Sequence, residues 1–82
     1  MLIKNEIDEL LSELQGYSAS ELADIRHFSE NGEYECALHL IVGIAISDRR
    51  KISKAAFDKI SDLAPRVQLA NPERLPMIHI QE

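Results

Sequence analysis

Residues 32–47 read GEYECALHLIVGIAIS, and the reading of this stretch decides the fold. Its first half keeps helical spacing, with Tyr34, Ala37, Leu38 and Ile41 on one face. From Leu40 onward the apolar residues Leu40, Ile41, Val42, Ile44, Ala45 and Ile46 spread around the whole cylinder. A helix apolar on every side has to be enclosed by other elements. The stretch therefore predicts a central, buried third helix over about residues 33–48, with the rest of the chain packed around it. Gly43 lies inside it at a cost of about 1 kcal/mol relative to Ala. Close approach by a neighbouring helix, or a local bend, would account for its presence.

Upstream, Ile3, Ile7, Leu10, Leu11 and Leu14 recur at i, i+4, i+7, i+8 and i+11, the stripe of a core-facing helix over about residues 2–15. Gly16 is the expected C-terminal stop. Glu6, Glu9 and Glu13 lie largely off that stripe and are expected to face water. The next segment, YSASEL at 17–22, starts a second helix: Ser18 as N-cap and Glu21 three residues on form a capping box, and Tyr17 and Leu22 sit at staple positions. That helix should cover residues 19–30, bury Leu22, Ile25 and Phe28, and close at Asn31-Gly32, both tolerant of the left-handed conformation.

Downstream, Asp48-Arg49-Arg50-Lys51 forms a connector whose three bases lie just past the end of the third helix, where the helix dipole favours cations. Ser53 is the expected N-cap of a fourth helix, with Ile52 and Phe57 at staple positions. Phe57, Ile60, Leu63, Ala64 and Val67 keep its register over about residues 54–64. Pro65 predicts an end near Leu63, or a kink with resumption through Leu69. Pro72 and Pro76 mark residues 72–82 as an irregular tail, whose Leu75, Met77, Ile78 and Ile80 have three options: docking on the helices, pairing with another chain, or fraying. Short connections make sequential helices neighbours. The expected fold is all-α, a compact four-helix domain spanning the 82 residues.

Composition narrows the function. A chain this short buries only about 60–65% of its unfolded surface and has few residues to spare for a deep pocket. That favours a binding module over an enzyme. Hydrophobic residues make up 45%, charged residues 28%, and Trp is absent, which points to a core of Leu, Ile and Ala in packed helices. A single cysteine, Cys36, excludes an internal disulfide and fits a reducing compartment. The longest apolar run, residues 40–46, falls short of the roughly 20 residues a bilayer requires, and the charged N-terminus has no leader design. A cytoplasmic protein without membrane association is expected.

The net charge of −5 is uneven: residues 1–35 carry nine acids against Lys4 and Arg26, and residues 36–82 carry five acids against seven bases. An acidic half repels nucleic acid and attracts basic partners. Cys36-x-x-His39 places a thiol and an imidazole one turn apart, but two ligands do not make a zinc site. A buried Cys beside a partly exposed His is the ordinary reading. Glu30, Glu33 and Glu35 would need a cleft and a raised pKa to act as paired acids, and read instead as a solvated helix start. There is no Gly-rich phosphate loop. Neither catalysis nor a metal or other cofactor is expected. Arg49, Arg50, Lys51 and Lys54 form the one basic cluster. With a recognition helix beginning at Ser53 that turns Lys54 and Lys59 outward, they define the alternative: a small antitoxin-like or regulatory DNA-binding helical module. An overall pI near 5.1 weighs against it.

The order of features carries a resemblance. EIDELLSEL (6–14), YSASEL (17–22), NGEYECAL (31–38) and KISKAAFDKISDLA (51–64) together resemble the MafI-type immunity proteins, which are encoded in bacteria beside polymorphic and contact-dependent growth-inhibition toxins. The resemblance covers roughly residues 4–64, and Gly32-Glu33-Tyr34 followed by Ala37-Leu38 is its most telling piece. It implies a protein that binds one cognate toxin in the cytoplasm of the producing cell and neutralises it. Toxins neutralised by that family include nucleases, among them EndoU-type ribonucleases. A toxin that handles RNA presents a basic groove to phosphates, and an inhibitor answers it with carboxylates that speed encounter. The contact residues expected on this basis are Glu6, Glu9, Glu13, Glu21, Asp24 and Glu30. Glu21 also serves the capping box, and Glu33 and Glu35 serve the first turn of the third helix.

Overall fold

The structure, a computed structural model, describes residues 2–81. Four α-helices form in chain order: α1 (Ile3–Leu11), α2 (Ala19–Glu30), α3 (Tyr34–Ser47) and α4 (Lys54–Arg66). Between α3 and α4 lies a short strand, β1 (Lys51–Ser53). After α4 come a 3₁₀ helix (Pro72–Met77) and a second strand, β2 (His79–Gln81). The chain is mainly α, but the two strands correct the all-α expectation. They pair in parallel, with Lys51 opposite His79, Ile52 opposite Ile80 and Ser53 opposite Gln81. Residues 72–81 thus carry regular structure rather than the irregular tail expected, and Glu82 lies outside the described residues. Leu69 and Ile78 are buried against the core and Leu75 packs partly on it, which holds β2 beside β1. The Cα radius of gyration, 11.2 Å, is close to the roughly 12 Å expected of a compact domain of this length.

α1 is shorter than the sequence predicts. It ends at Leu11, and the chain turns through i→i+3 bonds, Glu13 N–H to Leu10 O and Leu14 N–H to Leu11 O, while the Ser12 hydroxyl bonds back to Glu9 O at 2.6 Å. Competition of that hydroxyl for the backbone favours leaving the helix. The stripe survives the early exit, because Ile7, Leu10, Leu11 and Leu14 are all buried. Gly16 is therefore not a helix stop; it lies in the following turn, with no left-handed φ. Glu6 does not simply face water either. Its side chain is only 21% exposed, because it lies against α4.

The capping box forms as predicted: the Ser18 hydroxyl accepts from Glu21 N–H, and the Glu21 carboxylate accepts from Ser18 N–H at 2.8 Å. α2 buries Ile25 and Ser29, whereas Leu22 and Phe28 are only half-buried. α3 touches each of the other three α-helices. It is not enclosed on every side, however. Ala37, Leu38, Ile41, Val42 and Ala45 face the core, and Leu40, Ile44 and Ile46 sit at its rim. A domain this small has too few elements to surround a helix completely. Gly43 also departs from expectation: a Cβ built there meets no heavy atom within 4 Å, so no neighbour approaches closely.

α2, α3 and α4 share one way of ending. At α2, Glu33 N–H bonds to Phe28 O and Gly32 N–H to Ser29 O. At α3, Arg50 N–H bonds to Ala45 O and Arg49 N–H to Ile46 O; at α4, Leu69 N–H bonds to Ala64 O and Gln68 N–H to Pro65 O. These are paired 6→1 and 5→2 bonds around a left-handed residue, the Schellman pattern. The left-handed residue is Gly32 at the first (φ 77°), Arg49 at the second (φ 51°) and Gln68 at the third (φ 57°). Asn31, at φ −93°, is not left-handed; its side-chain amide instead donates to His27 O. α4 runs just past Pro65, to Arg66, and does not resume toward Leu69. Placed in the last turn, Pro65 removes one hydrogen bond without breaking a continuing ladder.

Two substitutions test these assignments by their sign. Gly43→Ala should stabilise the fold by about 1 kcal/mol, since the added methyl enters open space in a helix. Gln68→Gly should stabilise it too: relief of a left-handed residue is worth about 1–2 kcal/mol, offset by about 0.5–1 kcal/mol of added chain entropy. Each kcal/mol should raise the melting temperature by about 4–8 °C in a domain of this size.

Candidate functional site

Most of the ionised side chains pair within the molecule. Arg66 makes two bonds to the Glu6 carboxylate, Nη1 to Oε1 at 2.7 Å, and also reaches Asp62 at 2.9 Å. Lys59 meets Glu9 at 3.3 Å, so two of these pairs tie α1 to α4 across the surface. Lys4–Asp8 and Lys54–Asp58 are i, i+4 pairs within helices.

Arg50 holds a further junction together. Its guanidinium donates to both Glu21 oxygens, at 2.8 and 3.1 Å, and to Gly16 O at 2.7 Å. It also stands over the Tyr17 ring, 5.7 Å from the centroid. Tyr17 is buried and its hydroxyl donates to Ile41 O at 2.6 Å, inside α3. The connector bases therefore do not all act as dipole caps on α3; Arg50 reaches back to join the α2 start to the end of α3. Burial pushes the Tyr17 phenol well above its ordinary pKa, against the opposing charge of Arg50. Hydrogen bonding by Arg50 and Arg66 holds Glu21 and Glu6 below the ordinary glutamate value.

These pairs sort the six acids that the sequence singles out. Glu6, Glu9 and Glu21 each already hold an internal cation. Glu13 is half-buried, and its Oε2 is buried without a hydrogen-bond partner among the described residues. Asp24 and Glu30 are exposed on α2, with no ion pair among the described residues. Glu33 and Glu35 join them: both are exposed, neither has an ion pair among the described residues, and Glu35 accepts one bond from Ala70 N–H at 3.1 Å. Arg26, one turn before Glu30, makes no ion pair with it. Of the six exposed or half-buried carboxylates without an ion pair among the described residues, four (Asp24, Glu30, Glu33 and Glu35) lie on α2, the turn after it and the first turn of α3, while Glu13 and Glu73 stand apart.

Beside them lies a surface groove of about 310 Å³, lined by Phe28, Glu35, Cys36, His39 and Leu40. Cys36 is exposed, not buried as its place in an apolar helix suggests. In sequence Phe28 reads as core because it follows Ile25 by three residues. The buried line of α2 instead runs through Ile25 and Ser29, which leaves Leu22 on one side and Phe28 on the other half-buried at the rim. Serine at a core position hides that register.

The basic cluster is largely neutralised. Arg50 is tied to Glu21, Lys54 to Asp58 and Lys59 to Glu9, which leaves Arg49 and Lys51 without a carboxylate among the described residues. No group of three or more His, Cys, Asp or Glu side chains among the described residues is placed to hold a metal ion. No helix among them is long and apolar enough to cross a membrane.

The paired glutamates make acid stability a test. A carboxylate whose pKa is depressed on folding contributes stability above its ordinary value of 4.5 and loses it as pH falls through the lower, folded value. Melting temperature should therefore fall as pH drops below about 4.5. The decline should be shallower in the Glu6→Gln, Glu21→Gln double variant, which starts from a lower melting temperature at neutral pH. Thermal melts from pH 7 downward measure both.

Comparison with known proteins returns no matching family model, curated protein or solved structure.

Proposed function

We propose that this chain is an immunity protein: a non-catalytic inhibitor that binds one cognate toxin domain, a basic nuclease, and blocks it in a stoichiometric complex. The observation that carries the reading is the distribution of charge. Internal pairs engage the carboxylates of α1 and α4, while Asp24, Glu30, Glu33 and Glu35 make no ion pair among the described residues. Exposed, uncompensated charge of one sign steers an oppositely charged protein and raises the association rate. The MafI-type resemblance supports the same reading and adds EndoU-type ribonucleases to the toxin classes to try. In this reading the helices are a four-helix scaffold around α3, and the α2–α3 acids form the contact surface, with Glu13 apart from it beside Lys51 and Gln81. Glu6, Glu9 and Glu21 act chiefly to hold that scaffold.

The test is co-expression with the toxin domain encoded by the adjacent gene, in the cytoplasm of a bacterial host. Growth should be rescued and a 1:1 complex should form, with an association rate that falls as salt is added. Reversal of Asp24, Glu30 and Glu33 to Lys should slow association by about tenfold or more and keep the fold, since none of the three side chains makes a hydrogen bond or ion pair among the described residues. At Glu33, the N-cap of α3, the cost is the helix-dipole penalty of about 0.3–1 kcal/mol. Loss of rescue in every pairing, together with salt-sensitive binding of the free protein to duplex DNA, would replace this reading by a DNA-binding module acting through Arg49 and Lys51.

A further inference from the structure

The geometry points to the groove between α2 and α3, lined by Phe28, Leu40 and Glu35 with Asp24 one helical turn before Phe28, as the seat of a basic amphipathic helix of the partner protein. This deepens the immunity reading by naming how the partner is held, and it rests on that reading for the partner's identity alone.

Three observations converge on the groove. Phe28 and Leu40 belong to the apolar set of the chain but are only half-buried, so each keeps apolar surface to offer. Cys36 and His39 widen the same opening along α3, and the next position on that side is Gly43, whose Cβ direction is open space. The wall between two packed helices at such a place accepts the side-chain ridge of a third helix.

Charge selects the occupant. Asp24 lies one turn before Phe28 on the same side of α2, and Glu35 lines the groove from α3. Neither carries an ion pair among the described residues. A helix with an aliphatic stripe bordered by Lys or Arg satisfies the apolar lining and both acids at once. A second copy of this chain would bring carboxylates against carboxylates at a net charge of −5 each, and nucleic acid would bring phosphates against them.

The chain supplies its own reporters. Cys36 is its single thiol and lies in the groove, and the absence of Trp leaves the fluorescence of a Trp-bearing peptide unobscured. The first probe is a Leu/Lys amphipathic helical peptide with one Trp, compared with a scrambled peptide of the same composition. The amphipathic peptide should bind and slow alkylation of Cys36 by about tenfold, and the scrambled one should leave that rate nearly unchanged. Leu40→Gln and Cys36→Arg should each weaken peptide binding by about tenfold, a difference of about 1.4 kcal/mol. The second substitution sits at an exposed position, so packing is not at stake. Equal alkylation with either peptide overturns the groove. The second probe is the toxin complex itself. Neutralisation with Cys36 as reactive as in the free protein overturns the groove and keeps the immunity reading. Protection by the model helix with no toxin neutralised supports the groove and removes the immunity reading.

Discussion

Burial of one face of α3 is the constraint on which the other elements depend. Ala37, Leu38, Ile41 and Ala45 are fully excluded from solvent, and α1, α2 and α4 each supply part of the enclosure. The apolar area removed from water there is the main favourable term available to a chain of this length. Every other element is placed so as not to disturb it. The turn after α1 keeps Leu14 inside although the helix has ended, and β1 turns Ile52 inward. The Tyr17 hydroxyl, buried beside α3, is satisfied by Ile41 O rather than left desolvated without a partner.

Polar contacts then fasten the shell around that core. Arg50 joins the α2 start to the end of α3 through Glu21 and Gly16 O, and Arg66 and Lys59 join α4 to α1 through Glu6 and Glu9. Exposed pairs of this kind contribute little individually; their larger effect is on which charges remain. Once they form, the negative surface is no longer the whole front half of the chain. It is chiefly the α2–α3 region, next to the groove that Phe28 and Leu40 line, with Glu73 apart from it. An acidic sequence has become a surface with a charged side and a largely compensated side.

Much of the helix plan was legible because it rests on local chemistry. Ser18 with Glu21 and Ser53 with Ala56 N–H form the predicted caps, since the partners lie within three residues. The α2 and α3 boundaries fall within a residue of expectation. The turns at Arg49 and Gln68 were not legible, because neither residue type announces a left-handed backbone; the 6→1 bond, together with burial of Ile52 after the first turn and Leu69 after the second, imposes it. The tail was equally opaque. A three-residue parallel strand gains its partner only after α4 has carried the chain back past β1.

For the candidate site the division is similar. Asp24 and Glu30 could be named from sequence because their acidity is a property of the residue. That Glu6, Glu9 and Glu21 are matched by cations 29 to 60 positions away could not. Sequence by itself determined a small, acidic, mainly helical chain with capped helices and one dominant apolar segment. Spacing and capping act within a turn or two of chain, so they can be read along it. Tertiary structure alone decided that Glu6, Glu9 and Glu21 are paired, that Cys36 and Phe28 lie at a rim, and that the tail closes a sheet. Each of those depends on which distant segments meet, and the energy that brings them together is the non-directional burial of α3.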